Sequence, residues 1–226
     1  MRWTIRFCLA VMAGKVPGKA LRNFLLVEDD LSTMINMVAT RYGRGLHVKH
    51  RLTNYHGFFT ERINPGERVL DIGSGNGALA YDLATVSGAE VTGIDISKEN
   101  VELARRRYKH QSLCFVHGDA LQDIPEEGFD VVVMSNVLEH IEERIPFMQK
   151  IDETLSPGKI LIRVPMIDRE WRIPLRKELG LLYFCDNSHQ TEYTKESFER
   201  EMAEAGFAIS HLQINWGEIW AEVRPE

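Results

Sequence analysis

Three glycines, Gly73, Gly75 and Gly77, follow directly after the mostly apolar run Val69–Ile72, and a helical pattern begins at Ala78. Glycine tolerates a positive φ and lets a ligand approach the backbone closely. The first N–H groups of the following helix are free to bind a carboxylate or phosphate. The glycine spacing also fits the dinucleotide-binding fingerprint, which accepts alanine at the third position. The segment therefore predicts a strand, a tight turn and a helix that together bind a nucleotide-containing cofactor.

Carboxylates end the next two predicted strands. Asp95 lies 22 residues after the first glycine of the loop, where a carboxylate can accept both hydroxyls of a ribose. Asp119 follows the third strand, where its carboxylate can accept a hydrogen bond from the exocyclic amine of an adenine ring that packs on Ile96. Because the carboxyl ends of parallel strands meet at one edge of a sheet, all these positions face one crevice. The strand ends that meet there are the glycine loop, Asp95-Ile96, Asp119-Ala120 and Ser135-Asn136.

The composition is that of an ordinary globular protein of 226 residues, which suits one α/β domain with a small extension. The net charge of −6 argues against general nucleic-acid binding. Residues 1–62 hold 10 Lys and Arg against 4 Asp and Glu, whereas the remainder holds 17 against 29, so a basic arm precedes an acidic body. Three scattered cysteines without a CxxC spacing indicate reduced thiols and a cytoplasmic location.

Strands and helices alternate from residue 67 onward, which predicts an α/β fold with a doubly wound, seven-stranded, mostly parallel sheet. The fourth strand is apolar enough to be central and buried on both faces. The last two strands are antiparallel around Gly217-Glu218 and form a terminal hairpin. The predicted strands are Arg68–Ile72, Glu90–Ile94, Leu113–His117, Phe129–Met134, Lys159–Val164, Phe207–Trp216 and Ile219–Val223, and the predicted helices between them are Ala78–Ser87, Lys98–His110, Val137–Leu155 and Lys195–Ala205.

An N-terminal helical cap over residues 1–62 is predicted to precede this domain of residues 63–226. Pro17 separates two helices, and the second covers residues 20–41 with four apolar side chains inward, Leu31, Met34, Ile35 and Val38. The first helix carries Trp3 and Phe7 beside arginines, which suits a weak contact with a membrane surface or, as we favour, packing as a cap. A metal site would need His47, His50 and His56 on one face, and their spacing does not compel that, so we expect no metal here and favour contact with the cofactor or substrate.

The ordered runs VLDIGSGNGALA, VTGIDIS, GDALQDIP, FDVVVMSNVLEHI and LSPGKILIRVP resemble the motif set of class I S-adenosylmethionine-dependent methyltransferases, over about residues 66–165. That resemblance implies the Rossmann-like methyltransferase fold. Within the class, Asn136–His140 resembles the small-molecule methyltransferases typified by the ubiquinone-biosynthesis O-methyltransferases, although Asn136 stands where that group has Glu. Leu46-His47 and the basic stretch after it resemble the cofactor-covering segment of the same group.

The resemblance implies S-adenosyl-L-methionine as the cofactor and assigns a role to each motif. The glycine loop would pass the methionine moiety, Asp71 would orient the loop and the amino group, and Ser135 would lie near the sulfonium. Asp95 would hold the ribose and Asp119 the adenine. The complete set of expected cofactor-binding residues is Asp71, Gly73, Ser74, Gly75, Gly77, Asp95, Ile96, Asp119, Ala120, Ser135 and Arg51.

Methyl transfer to a small-molecule acceptor is an in-line displacement, in which the protein contributes mainly proximity and orientation. We favour an oxygen nucleophile, and a hydroxyl acceptor would also use a general base. His140, one helical turn past the fourth strand, is the first candidate. His189 and Tyr193 are the second, because they lie in an irregular acceptor-side insertion, about residues 165–194, that must close over the acceptor.

Two alternatives remain beside this interpretation. One is a catalytically silent, methyltransferase-like binding subunit, because an intact glycine loop does not prove turnover. The other is an NAD-dependent oxidoreductase, which is less favoured because the chain leaves no room for a separate substrate domain. The sequence predicts no nucleic-acid partner, and it leaves the acceptor and the oligomeric state open.

Overall fold

The computed structural model describes residue 14 and residues 16–125 and 128–226. The first predicted helix, with Trp3 and Phe7, lies outside the described residues. The described chain divides into two compact units. The first contains the residues up to Thr53 together with Glu170–Tyr183, and the second contains Asn54–Arg169 and Phe184–Glu226. The predicted division of the chain at residues 62 and 63 stays a prediction.

A seven-stranded sheet forms the centre of the second unit, with the strand order β3-β2-β1-β4-β5-β7-β6. Neighbouring strands from β3 to β5 are parallel, whereas β7 is antiparallel to both β5 and β6. This topology confirms the predicted doubly wound sheet with a terminal antiparallel hairpin. The strands are β1 (Arg68–Ile72), β2 (Glu90–Asp95), β3 (Leu113–His117), β4 (Val131–Ser135), β5 (Lys159–Pro165), β6 (Phe207–Asn215) and β7 (Glu218–Pro225).

The described helices match most of the predicted helical ranges. They are α1 (Pro17–Tyr42), α2 (Lys49–Thr53), α3 (Tyr55–Thr60), α4 (Ala78–Val86), α5 (Lys98–Arg107), α6 (Arg144–Leu155), α7 (Arg172–Glu178) and α8 (Lys195–Glu204). The predicted cap of α5 is confirmed, because the Ser97 hydroxyl accepts a hydrogen bond from Asn100 N at 3.2 Å. Among the described residues, no helix is both long enough and apolar enough to cross a membrane.

The prediction of one helix over residues 137–155 is wrong. A short 3-10 turn covers Leu138–His140, the chain becomes extended at Ile141, and α6 begins only at Arg144. Pro146 has no N–H for an unbroken helix through this stretch, and a long-range contact adds to the break, since the Glu139 carbonyl accepts hydrogen bonds from Gln190 N at 2.7 Å and Thr191 N at 3.3 Å. That carbonyl is therefore engaged outside the helix, which stops the turn from continuing.

Strands β1 and β4 lie side by side, where the strand order reverses, and they are buried on both faces. On one face Leu70 and Val132 belong to a core that includes α6 and α8, and on the other Val69 and Val131 belong to a core that includes α4. A topological switch point of this kind opens a crevice at the carboxyl ends of the strands. The fold thus places the predicted site at the edge where β1, β2 and β4 end.

Helix α1 in the first unit corrects the prediction that its apolar stripe faces inward. Leu31, Met34, Ile35 and Val38 are between 53% and 66% exposed, and Leu25 is the buried residue of the described helix. Helix α7 contacts the other side of α1, where Arg176 donates a hydrogen bond to the Asp29 carboxylate at 2.7 Å. At 100° per residue, Leu25 and Asp29 share that side, and the four exposed side chains lie roughly opposite.

Candidate active site

A cavity of about 430 Å³ lies at the carboxyl edge of the sheet, within the second unit. Its apolar wall includes Ile72, Val137, Ile141 and Phe147, and Asn100 and Asn136 add polar groups. Seven of the residues expected from the sequence also line it, namely Gly73, Gly75, Asp95, Ile96, Asp119, Ala120 and His140. The structure therefore brings the glycine loop, the two strand-end carboxylates and the first candidate base to one space.

The glycine loop is held against the end of β2 by backbone hydrogen bonds. Gly73 N and Ser74 N both donate to the Ile94 carbonyl, at 2.8 and 3.0 Å. Gly73 and Gly75 have φ angles of +68° and +54°, which glycine adopts without strain. A side chain on Gly75 would meet no heavy atom of the described chain within 4 Å, because this position faces open space. The loop thus presents bare backbone to the cavity.

Asp95 couples the glycine loop to the start of α5. Its Oδ2 accepts a hydrogen bond from Gly75 N at 2.7 Å, and its Oδ1 accepts from Ser97 N at 2.8 Å and Asn100 Nδ2 at 3.4 Å. A carboxylate offers about four acceptor positions. Asp95 therefore retains capacity for a ligand hydroxyl on the cavity side.

Two buried polar atoms beside the loop have no hydrogen-bond partner in the described part of the chain, Asp71 Oδ2 and Ser74 Oγ. Burial, and then the Asp95 charge, raises the pKa of Asp71 to about 8. An unpartnered buried acid is costly by itself, and a ligand that brings a positive charge or N–H donors removes that cost. The amino group expected from S-adenosylmethionine fits this need.

Asp119 and Ser135 occupy the strand ends where the sequence places them. The Asp119 carboxylate accepts from Leu121 N at 2.9 Å and from Gln122 Nε2 at 3.1 Å, which shapes the turn after β3. Ser135 does not line the cavity, and its hydroxyl accepts from Arg163 at 3.2 Å. Its expected position near the sulfonium stays a prediction.

Gly77 is not among the residues that line the cavity, and Arg51 belongs to the other compact unit. Gly77 has a φ of +83° at the start of α4, and a Cβ there would lie 2.6 Å from the Phe115 ring. Its missing side chain therefore serves the packing of α4 against β3. Arg51 lies in α2, which belongs to the first unit, and it is exposed. The cofactor contacts expected for these two residues stay predictions.

Two histidine rings meet beside the cavity. His140 lines it, and the His189 ring lies edge-on to the His140 ring with 4.7 Å between the centroids. His189 is buried, and its Nδ1 lies 2.9 Å from Glu192 Oε1. Glu192 also accepts hydrogen bonds from Arg169 and from Cys185 N. Sequence reasoning found both histidines but missed Glu192, because the sequence shows nothing of this loop's folded contacts.

Tyr193 lies in the hydrophobic core. It is 1% exposed, and its hydroxyl donates to Glu201 Oε1 at 2.6 Å. Burial and the neighbouring Glu201 charge raise the pKa of the Tyr193 hydroxyl further above its ordinary value. The structure thus separates this candidate from the two histidines, because its hydroxyl is already engaged.

Burial favours the uncharged forms of His140 and Glu139 near neutral pH. Burial and the His189 neighbour lower the pKa of His140. Burial raises the pKa of Glu139 to about 8, and both of its carboxyl oxygens lack a hydrogen-bond partner among the described residues.

One nitrogen or oxygen atom from each of Glu139, His140 and His189 lies within 4.8 Å of the others, close enough to hold a metal ion. The expectation of no metal stays a prediction.

Comparisons with known proteins agree with this geometry. A family model described as a methyltransferase domain matches residues 44–212. A ubiquinone biosynthesis O-methyltransferase of Azorhizobium caulinodans is 30% identical over 192 residues, which cover 79% of this chain and 72% of the relative. A 27-O-demethylrifamycin SV methyltransferase of Amycolatopsis mediterranei is 38% identical over 42% of this chain, and an O-methyltransferase of Penicillium expansum, cnsE, is 34% identical over 73%. The chain spans 37% and 59% of those last two relatives.

Solved structures share the fold at low sequence identity. The magnesium protoporphyrin IX methyltransferase from Synechocystis PCC 6803, solved with bound SAH, matches with a TM-score of 0.61 and 21% identity, over 80% of this chain and 85% of that one. The mitomycin 7-O-methyltransferase MmcR matches with a TM-score of 0.63 and 18% identity, over 82% and 56% of the two chains. The chain belongs to the S-adenosylmethionine-dependent methyltransferase family of class I.

Proposed function

We propose that this protein transfers a methyl group from S-adenosylmethionine to an oxygen atom of a small-molecule acceptor. The observation that carries the proposal is the cavity that joins the glycine loop and Asp95 to His140. Cofactor recognition and proton transfer need to meet at one space for such a reaction, and these residues line the same space. Two of the named relatives carry a small molecule in their names, a rifamycin and ubiquinone, which supports an acceptor of that class.

The residues divide the cavity into a cofactor part and an acceptor part. The glycine loop and Asp71 would hold the methionine part of the cofactor, Asp95 the ribose, and Asp119 with Ile96 the adenine. The bound cofactor supplies an electrophilic methyl group. Arg51 and Ser135 remain candidates for further cofactor contacts.

His140 is proposed as the base that accepts the proton of the acceptor hydroxyl. It lies on the cavity wall, and its lowered pKa keeps the imidazole neutral at neutral pH, as a proton acceptor requires. General-base catalysis contributes about 10²–10⁴-fold, whereas orientation of the reacting groups contributes up to roughly 7–11 kcal/mol. Most of the rate enhancement would therefore come from placement by the cavity walls.

The cytoplasmic location is part of the same proposal. The two described cysteines, Cys114 and Cys185, are both free thiols, which suits a reducing compartment.

Ligand binding to paired variants tests the proposal. S-adenosylhomocysteine should raise the melting temperature of the wild type, because it binds the folded state only, and NAD should not. Asp95→Ala should abolish most of that increase. Asp130→Ala is the matched control, because Asp130 also accepts a backbone N–H, that of Arg68 at 2.8 Å, but lies at the opposite ends of the strands.

Equal stabilisation of the wild type and Asp95→Ala by S-adenosylhomocysteine would contradict the proposed ribose position. A mass-spectrometric screen with isotope-labelled cofactor then identifies the acceptor. Cofactor binding without methyl transfer to any hydroxyl compound would favour the silent binding subunit instead.

A further inference from the structure

The loop of residues 185–192 reaches His140 through a hydroxyl group. Ser188 Oγ lies 3.0 Å from His140 Nδ1, and it also donates to Asp186 Oδ1 at 2.6 Å. Asp186 Oδ1 in addition accepts from Ser188 N at 2.8 Å, so the carboxylate is fixed relative to the serine. Asp186, Ser188 and His140 therefore form a continuous chain of hydrogen bonds that ends at the cavity wall.

The direction of these hydrogen bonds follows from counting protons. A serine hydroxyl has one proton to donate, and an ionised carboxylate only accepts. The hydrogen bond from Ser188 lowers the pKa of Asp186, which keeps the carboxylate ionised at neutral pH. The Ser188 proton is therefore used toward Asp186, and the hydroxyl can only accept from His140 Nδ1. In a neutral imidazole, a proton on Nδ1 leaves Nε2 with its lone pair free.

We propose that Ser188 and Asp186 are positioning residues that hold His140 in its Nδ1–H tautomer, so that Nε2 is the atom that accepts the proton of the acceptor. This inference rests on the proposed function, because it assigns the base atom of that same reaction. A third group that orients a catalytic histidine is a recurrent requirement, and in serine proteases the wrong tautomer costs about 10⁴-fold in kcat. The link here passes through a neutral hydroxyl at the surface, so we expect a smaller effect of about 10-fold.

The second histidine provides an internal reference. Glu192 holds His189 Nδ1 directly, and it does so independently of Ser188. Removal of the Ser188 hydroxyl should therefore release the tautomer of His140 and leave that of His189 unchanged. Neither result requires a known acceptor, because the tautomer can be read from the free protein.

The experiment is nitrogen NMR of histidine-labelled protein, with the His140 signals assigned by their loss in His140→Gln. In the wild type we expect a protonated Nδ1 and an unprotonated Nε2 on His140. Ser188→Ala should move His140 toward the Nε2–H form, and Ser188→Thr, which keeps the hydroxyl, should restore the wild-type signals. Ser210→Ala is a matched control, because Ser210 also donates to a carboxylate, Glu222, but lies on β6.

Turnover of the same variants separates the two proposals. Ser188→Ala should lower kcat about 10-fold at nearly unchanged affinity for S-adenosylhomocysteine, and Ser188→Thr should restore it. An unchanged His140 tautomer in Ser188→Ala overturns the inference, whatever the activity. A changed tautomer with unchanged kcat removes His140 from the reaction, which overturns the base assignment and the catalytic role of Ser188. Ser188 is exposed, so we expect both variants to fold.

Discussion

Asp71 is a buried acid whose charge state should depend on the ligand. Because burial raises its pKa to about 8, most of the free protein carries a proton there at pH 7. A ligand ammonium group beside it would lower that pKa, so binding should release up to about one proton. Calorimetric titration with S-adenosylhomocysteine in buffers of different ionisation enthalpy measures this number.

Asp71→Asn should bind more weakly and release no proton, whereas Asp130→Asn should behave as the wild type. An equal proton release by Asp71→Asn would contradict the assignment. The raised pKa also fixes the sign for stability, because the folded state binds a proton that the unfolded state has lost above pH 4. The contribution of Asp71 to the free energy of unfolding therefore decreases as the pH rises from about 4 to 8, and Asp71→Asn should remove that decrease.

His140 should show its role in the pH dependence of turnover. A base with a lowered pKa becomes active below the ordinary value of 6.5, so kcat should rise with pH and level off before neutrality. His140→Gln should lower kcat by about 10²-fold and remove this rise, if the acceptor is a hydroxyl. A large loss of S-adenosylhomocysteine affinity at unchanged saturated turnover would instead make His140 part of the cofactor pocket.

At the scale of elements, the two glycines at the start of α4 should fail in different ways when they are replaced. Gly77→Ala places a methyl group 2.6 Å from Phe115 at a φ of +83°, so it should cost about 2–4 kcal/mol of unfolding free energy. Gly75→Ala meets open space at a φ of +54° and should cost only about 1 kcal/mol. Its methyl group would occupy ligand space, so S-adenosylhomocysteine affinity should fall more than stability.

Chemical denaturation and calorimetric titration of both variants check this difference. Comparable losses of stability in the two variants would show that the α4–β3 contact is not what requires glycine at position 77.

Elements were predictable where burial on both faces dictates the residue types. The predicted limits of β1 agree with the structure, and the apolar β4 is central as expected. The limits of β3 agree as well, although this edge strand buries only Phe115. The break between His140 and Arg144 was predictable only in part. Pro146 argues against an unbroken helix through this stretch, whereas the hydrogen bonds from Gln190 and Thr191, some 50 residues away, cannot be inferred from the sequence. The orientation of α1 was missed for a related reason, since periodicity reveals an apolar stripe but not the partner that covers a given side.

Candidate site residues were also predictable where regular structure places them, and not where a long-range contact does. The glycine loop, Asp95 and Asp119 were predictable because strand ends in a parallel sheet converge on one edge. Ser188 acts, in our proposal, on a histidine that lies 48 positions earlier in the chain, and Asp186 and Glu192 share its irregular loop. Neither local propensity nor spacing reports such a contact, because tertiary folding alone creates it.

At the scale of the whole molecule, the resemblance of the sequence to methyltransferases and the architecture of the sheet support each other. The motifs cover the strands β1 to β5, and the antiparallel pair β6 and β7 completes the sheet beyond β5. The family model extends over the same strands and ends within β6, at residue 212. The loop of residues 185–192 lies between β5 and α8 and contains neither helix nor strand, and we expect it to take part in selecting the acceptor.

The order of strands also sets the rates at which backbone amides exchange with deuterium. Amides of β1, β4 and β5 are flanked by strands on both sides and by core on both faces, so they should exchange only through global opening. Strands β3 and β6, at the two margins of the sheet, should exchange far sooner. S-adenosylhomocysteine should slow exchange chiefly in residues 73–78, 95–100 and 118–122. The central strands β1, β4 and β5 should change little, because their amides already exchange very slowly without ligand. Mass spectrometry of pulsed exchange would then locate the bound ligand from the segments whose amides exchange more slowly in its presence.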